Sequence, residues 1–123
     1  MFELTINEKV YQFCFGMGFM LDINKEVGVP VDGLPGVSKN IGLRYYVAGI
    51  IDNDLEALCK VLLSANKNQA PRITDKILYE YIDDPDTDID KLFKDVLDFL
   101  SNANATKKTV KELLAAVENQ KNK

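Results

Sequence analysis

The side chains best suited to chemistry are aspartates that alternate along one short segment: Asp84, Asp86, Asp88 and Asp90. This spacing is typical of the start of a calcium-binding EF-hand loop, which also needs Gly at its sixth position and a bidentate Glu at its twelfth. Counted from Asp84, those two positions hold Ile89 and Asp95. We therefore expect no metal site. We interpret the aspartates as the N-terminal residues of a helix, where carboxylates accept free backbone N–H groups and complement the helix dipole.

Other catalytic constellations are missing from the sequence. The chain has no His, which removes the commonest general base and the commonest metal ligand. It contains no Gly-rich phosphate loop and no nucleophile elbow. The spacing of its cysteines, Cys14 and Cys59, fits neither a zinc site nor a redox motif, so we interpret each as a reduced, small apolar residue. We expect no catalytic residues, no cofactor and no enzymatic activity.

Length and charge limit the class of protein further. A chain of 123 residues suits one domain, which we assign to residues 1–123, with a frayed tail over 118–123. The net charge of −4 argues against a nucleic-acid partner. A local basic cluster at Lys107, Lys108 and Lys111 is interpreted as a solvated helix face. Without a signal peptide or a run of about 20 apolar residues, we expect a cytoplasmic protein that binds no membrane.

The first fifteen residues predict a β-hairpin. Large apolar side chains recur at every second position on both arms of this segment, as in half-buried strands. If residues 8 and 9 form a two-residue turn, Ile6 lies opposite Tyr11, and two further pairs follow. These are Leu4 with Phe13 and Phe2 with Phe15. All six side chains then share one face of the hairpin, which would pack on the rest of the domain.

Helical periodicity replaces the strand pattern after Gly16. We predict a helix over residues 17–27 that ends at Gly28 as its C-cap, and a second from Ser38 onward that buries Ile41 and Tyr45. The fold class is therefore α+β, mostly helical, with an N-terminal β-hairpin packed on about five or six α-helices.

Four more helices follow from apolar stripes and capping residues. We predict that three of them are capped: one by Asn53 with Glu56, one by Thr74 and one by Thr106. The last helix should bury Val110, Leu113, Leu114 and Val117. The predicted core contains Phe13, Phe15, Leu58, Leu62, Phe93, Val96 and Leu100.

The segment at residues 28–36 predicts a loop, because it holds three Gly and two Pro in nine residues. Unlike most loops it is also apolar, with Val29, Val31 and Leu34. The interpretation that we favour is that these side chains fold back onto the core. The alternative is that they form an exposed protein-binding site, since exposed apolar patches often mark interaction surfaces.

Several segments, in the same order along the chain, resemble the tail assembly chaperones of siphophages and prophages of Gram-positive bacteria. None of these motifs identifies a chemistry, so the resemblance depends on their number and order. They are FGMGF at 15–19, PVDGLPG at 30–36, NIGLR at 40–44, AGIID at 48–52, YIDD at 81–84 and DTDIDKLF at 86–93.

The resemblance implies a chaperone that acts in the host bacterial cytoplasm during tail assembly and is absent from the mature virion. Its implied partners are the tape measure protein, which it would bind, and the major tail (tube) protein, whose subunits it would recruit. Self-association is a further expectation. The alternative is a small helical adaptor or regulator that binds one folded protein. Neighbouring genes would distinguish the two, because a tail-tube gene upstream and a tape measure gene downstream accompany the chaperone.

Overall fold

The computed structural model describes residues 1–121, except the side chain of Lys121, and contains six helices and two small antiparallel sheets in this part of the chain. It confirms the predicted α+β, mostly helical fold with an N-terminal hairpin. The elements are β1 (Phe2–Ile6), β2 (Lys9–Phe13), α1 (Met17–Asn24), β3 (Gly28–Pro30), β4 (Ser38–Asn40), α2 (Gly42–Ile51), α3 (Leu55–Asn66), α4 (Asp75–Asp83), α5 (Ile89–Asn102) and α6 (Lys107–Lys121).

The register of the first hairpin differs from the predicted one by two residues. Phe2 lies opposite Phe13, and Leu4 lies opposite Tyr11. The turn is formed by Asn7 and Glu8, whose φ angles of 53° and 68° are both positive, as in the type I′ turns that suit two-residue hairpins. The turn predicted from the shared apolar face, at residues 8 and 9, lies one residue later, and the sequence has no Asn-Gly or Asp-Gly pair to mark the actual position. Since the shift is by two residues, every side chain keeps its predicted face.

Helix α3 lies at the centre of the core. Its side chains Leu58, Val61 and Leu62 are fully buried, and the helix packs against β2, α1, α2 and α4. All seven residues of the predicted core are buried: Phe13, Phe15, Leu58, Leu62, Phe93, Val96 and Leu100. Core positions were predictable because they repeat at strand or helix periods on faces that the fold does cover.

Two helix boundaries differ from the prediction. Helix α1 ends at Asn24 rather than at residue 27, and Gly28 begins strand β3 instead of capping a helix. Helix α2 begins at Gly42 rather than at Ser38, because residues 38–40 pair with β3. The Asn24 Oδ1 atom accepts a hydrogen bond of 3.2 Å from the Leu43 N–H at the start of α2. This interaction joins residues nineteen positions apart, so local patterns could not predict it.

Two of the predicted caps are confirmed. The Thr74 hydroxyl accepts a hydrogen bond from the Ile77 N–H at the start of α4. The Asp88 carboxylate accepts one from the Lys91 N–H, which confirms that the aspartate segment forms a helix N-terminus. Each cap satisfies a backbone donor that has no partner inside its own helix.

Two other caps were assigned wrongly. Asp54, not Asn53, caps α3, since its carboxylate accepts a hydrogen bond of 3.0 Å from the Glu56 N–H. Thr106 does precede α6, but it is fully buried, and its hydroxyl donates to the Leu100 carbonyl oxygen at 2.6 Å. It therefore satisfies an acceptor in the last turn of α5.

Three residues predicted to face the core are exposed. Tyr45 on α2 is 58% exposed, and Leu114 and Val117 on α6 are 40% and 36% exposed. Helix α6 packs mainly on α2 and α5. These two helices cover only part of its apolar stripe. The helix continues to Lys121, and the predicted fraying over 118–123 stays a prediction. The last two residues of the chain, Asn122 and Lys123, lie outside the described residues.

The buried positions Leu62 and Phe93 provide a test of the core. Leu62→Ala or Phe93→Ala should each lower the free energy of unfolding by about 2–5 kcal/mol, because truncation loses apolar burial and leaves a cavity. Leu114→Ala, at an exposed position, should change it by less than about 0.5 kcal/mol. Urea denaturation measures all three values. Equal effects at Leu62 and Leu114 would contradict the described packing.

A pair of glycines tests the close approach of α1 and α2. A Cβ atom at Gly42 would lie far inside van der Waals contact with the backbone carbonyl of Ile23, whereas a Cβ at Gly18 would meet nothing within 4 Å. Gly42→Ala should therefore lower the free energy of unfolding by about 1–3 kcal/mol. Gly18→Ala should raise it by up to about 1 kcal/mol, because Ala is the better helix former. Thermal denaturation compares the two variants, and an unaffected Gly42→Ala would show that the helices do not approach so closely.

Candidate protein-binding site

Strands β3 and β4 form a second hairpin over residues 28–40, separate from the first sheet. Val29 lies opposite Lys39, and Pro30 lies opposite Ser38. The ladder is extended by the Val31 N–H, which donates to the Val37 carbonyl oxygen at 3.0 Å. Of the predicted loop at residues 28–36, residues 28–30 therefore form a strand, and residues 31–36 form the turns of an ordered hairpin.

Two consecutive β-turns close the tip of this second hairpin. The Leu34 N–H donates to the Val31 carbonyl oxygen at 3.2 Å, and the Val37 N–H donates to the Leu34 carbonyl oxygen at 3.1 Å. The third residue of each turn is a glycine with positive φ, +78° at Gly33 and +80° at Gly36. Positive φ at this position characterises type II turns and favours Gly. The Gly residues that predicted an irregular loop thus give the tip a defined shape.

The apolar side chains of the second hairpin are exposed to solvent. Leu34 is 54% exposed and Val29 is 36% exposed, while Val31 is half-buried. The interpretation that these residues fold back onto the core is therefore wrong for Val29 and Leu34. The structure places all three candidate residues on one projecting ribbon, with Leu34 at its tip.

Val37 is an additional apolar residue of this surface, and the sequence analysis missed it. It lies opposite Val31 and is exposed. Because side chains alternate along a strand, the register places Val29, Val31 and Val37 on the same face of the ribbon. Recognising the segment as a hairpin would have predicted this, since its Asp-Gly and Pro-Gly pairs are turn signals.

A second apolar surface lies between α2 and α6. We call it the α2–α6 groove; it has a volume of about 810 Å³. Its larger apolar residues are Tyr45, Tyr46, Ile51, Leu113 and Val117. An ion pair between Arg44 and Glu112 joins the same two helices, and the hydrogen bond from Arg44 lowers the pKa of the Glu112 carboxyl. This surface was not predicted from the sequence, because helical periodicity assigned Tyr45 and Val117 to the core.

The polar residues that the sequence singled out show no catalytic arrangement. Burial, with a smaller contribution from Asp83, raises the pKa of the Cys59 thiol, which keeps it protonated and weakly nucleophilic at neutral pH. The Asp84 carboxylate accepts a hydrogen bond of 2.9 Å from the Asp86 N–H, and Asp88 caps α5. These carboxylates stabilise the backbone around the start of that helix.

Two kinds of site are not found in residues 1–121. No group of three or more His, Cys, Asp or Glu side chains is arranged to hold a metal ion there. None of the helices in this range has the length and apolar character that crossing a membrane requires. The two exposed apolar surfaces described above are of the kind that binds other proteins.

Comparison with known proteins agrees with a protein-binding role. Residues 3–114 match the family described as phage tail assembly chaperone protein, TAC. No curated protein and no solved structure matches the chain. The family match covers both hairpins, helices α1 to α5 and the first half of α6. Because this is well over half of the sequence, the chain belongs to the phage tail assembly chaperone family.

Proposed function

We propose that this chaperone binds the tape measure protein while a phage tail is assembled, and that Val29, Val31 and Leu34 of the second hairpin form part of the binding site. In this proposal the chaperone recruits subunits of the major tail protein to the tape measure and is absent from the mature virion. It acts in the cytoplasm of the host, a Gram-positive bacterium infected by a long-tailed phage, and it catalyses no reaction.

The physical need for such a chaperone follows from the shape of its proposed client. A long helical tape measure protein presents apolar stripes that have no tube around them until subunits assemble. Uncovered stripes of this kind associate with one another, because burial of apolar surface is favourable whatever the partner. A small protein with its own exposed apolar residues covers them reversibly until the tube subunits arrive.

The exposed tip of the second hairpin is the observation that carries the proposal. Leu34 is 54% exposed at the end of a ribbon whose two turns are closed by hydrogen bonds. A preformed ribbon loses little conformational entropy when it binds, so more of the favourable apolar contact remains as affinity. The apolar side chains of the second hairpin contribute little to the core, which leaves them free to contact a partner.

The proposal also assigns self-association and tube recruitment to this protein. Subunit recruitment requires a surface that remains accessible after the tape measure is bound. The exposed apolar residues lie on more than one element, and they include Leu55 on α3 and Tyr79 on α4 as well as the hairpin. A chaperone with several apolar surfaces is able to contact a client and a second protein together, which supports the recruiting role.

Replacement of the three hairpin side chains tests the proposed site. The variant Val29→Ser/Val31→Ser/Leu34→Ser should keep its thermal midpoint within about 2 °C of wild type, since surface substitutions away from special features change stability little. Co-expressed with a tape measure fragment, wild type should keep the fragment soluble, and the variant should lose most of that effect. The measurement is the fraction of the fragment in the soluble extract.

A matched control uses exposed apolar residues outside the second hairpin. Val10→Ser/Leu21→Ser removes two such side chains, from β2 and α1, and should solubilise the fragment as wild type does. If the hairpin variant folds and solubilises normally, the hairpin is not the site. If wild-type chaperone itself fails to keep the fragment soluble, the proposed client is wrong.

A further inference from the structure

The α2–α6 groove has the dimensions of a short helix-binding site. Its walls run from Tyr45 to Asp52 on α2 and from Leu113 to Gln120 on α6, each about two helical turns or roughly 10 Å. The exposed Ala48 lies between the larger apolar residues, whereas Gly49 and Ala57 pack on each other where α2 meets α3. A small residue at position 48 lets another helix approach to the roughly 8–10 Å at which helix axes pack.

All charged side chains among the described residues that line the groove are acidic. Asp52, Asp54 and Glu56 line it, and no Lys or Arg of the described side chains does. Asp54 has a structural role as the cap of α3. Asp52 lies at the C-terminal end of α2, where a negative charge opposes the helix dipole. Asp52 also lies two residues before the Asp54 cap of α3, and Glu56 lies in the first turn of that helix, so both carboxylates also suit the α3 N-terminus. At the edge of an apolar groove, the same carboxylates favour a basic ligand.

We propose that the α2–α6 groove binds an amphipathic α-helix whose apolar stripe is flanked by Lys or Arg residues. The apolar stripe packs on Tyr45, Leu113 and Val117. The basic side chains lie beside Asp52 and Glu56 at the other rim. A helix is favoured over a strand because both walls of the groove are helices and present side-chain ridges rather than a free sheet edge.

A second copy of this chain fits the groove less well than such a helix. The lysine-rich face of α6, with Lys107, Lys108 and Lys111, exposes Leu114 as its one large apolar residue in the neighbouring surface. Two further apolar residues of α6, Leu113 and Val117, already line the groove of their own molecule, and Val110 is buried. A neighbouring α6 thus offers the charge but not the apolar stripe.

This inference does not depend on the proposed role of the second hairpin, because the groove and the hairpin share no residues. It is tested with the full chain and a synthetic fluorescent peptide of about four helical turns, Ala-based, with a Leu stripe flanked by Lys. A second peptide carries Glu in place of each Lys. Fluorescence anisotropy should show that the Lys peptide binds at least about tenfold more tightly than the Glu peptide, and less tightly at high salt.

Two matched substitutions on α6 locate the binding. Val117→Ser removes an apolar side chain that lines the groove, while Leu114→Ser removes an equally exposed one that does not. Val117→Ser should weaken binding of the Lys peptide by about tenfold, and Leu114→Ser should leave it unchanged. Asp52→Asn should weaken it severalfold without destabilising the fold, because position 52 is exposed and lies outside both helices.

Three outcomes would overturn the inference. The first is failure of the Lys peptide to bind the wild-type chain. The second is equal weakening by Val117→Ser and Leu114→Ser. The third is a wild-type dimer, seen by light scattering, that Val117→Ser dissociates while the peptide does not bind; the groove would then be occupied by a second copy. The Val29→Ser/Val31→Ser/Leu34→Ser variant should bind the peptide normally, which separates this test from that of the proposed function.

Discussion

The buried amide side chain of Asn66 joins three segments of the chain at the end of the central helix α3. Its Nδ2 group donates to the carbonyl oxygens of Gln12 on β2, at 2.9 Å, and of Pro71, at 3.2 Å. Its Oδ1 atom accepts a hydrogen bond of 2.6 Å from the Ile73 N–H. A fully buried amide without such partners would be strongly unfavourable, so these bonds fix where each segment lies.

The rest of the architecture follows from this junction. With Gln12 held against α3, the first hairpin closes one side of the core, and the segment leading to α4 closes another. The second hairpin and the far half of α6 lie outside these constraints, and their apolar side chains remain exposed. Because the core is complete without Leu34 or Val117, those residues are available for binding. The proposed function depends on this separation between the residues that fold the chain and those that contact partners.

Local features were predictable from the sequence, and long-range ones were not. Thr74 and Asp88 cap helices through hydrogen bonds to residues three positions away, so their roles are visible in a short window. The contact between Asn66 and Gln12 spans 54 positions, and no periodicity in the sequence predicts it. Tyr45 and Val117 were assigned to the core because a stripe shows which face of a helix is apolar, but it does not show whether another element covers that face. The second hairpin was missed as a hairpin since its strands have three residues each, too short for a clear alternation.

Hydrogen exchange measures the binding surface on the intact protein most directly. The chaperone would be labelled alone and in complex with a purified tape measure fragment, and peptides covering residues 28–40 compared between the two samples. Binding at the second hairpin predicts slower exchange of amides near the tip, such as those of Leu34 and Gly36, in the complex. Unchanged exchange throughout the hairpin, in a complex shown to be formed, would contradict the assignment of this ribbon as the surface that contacts the client.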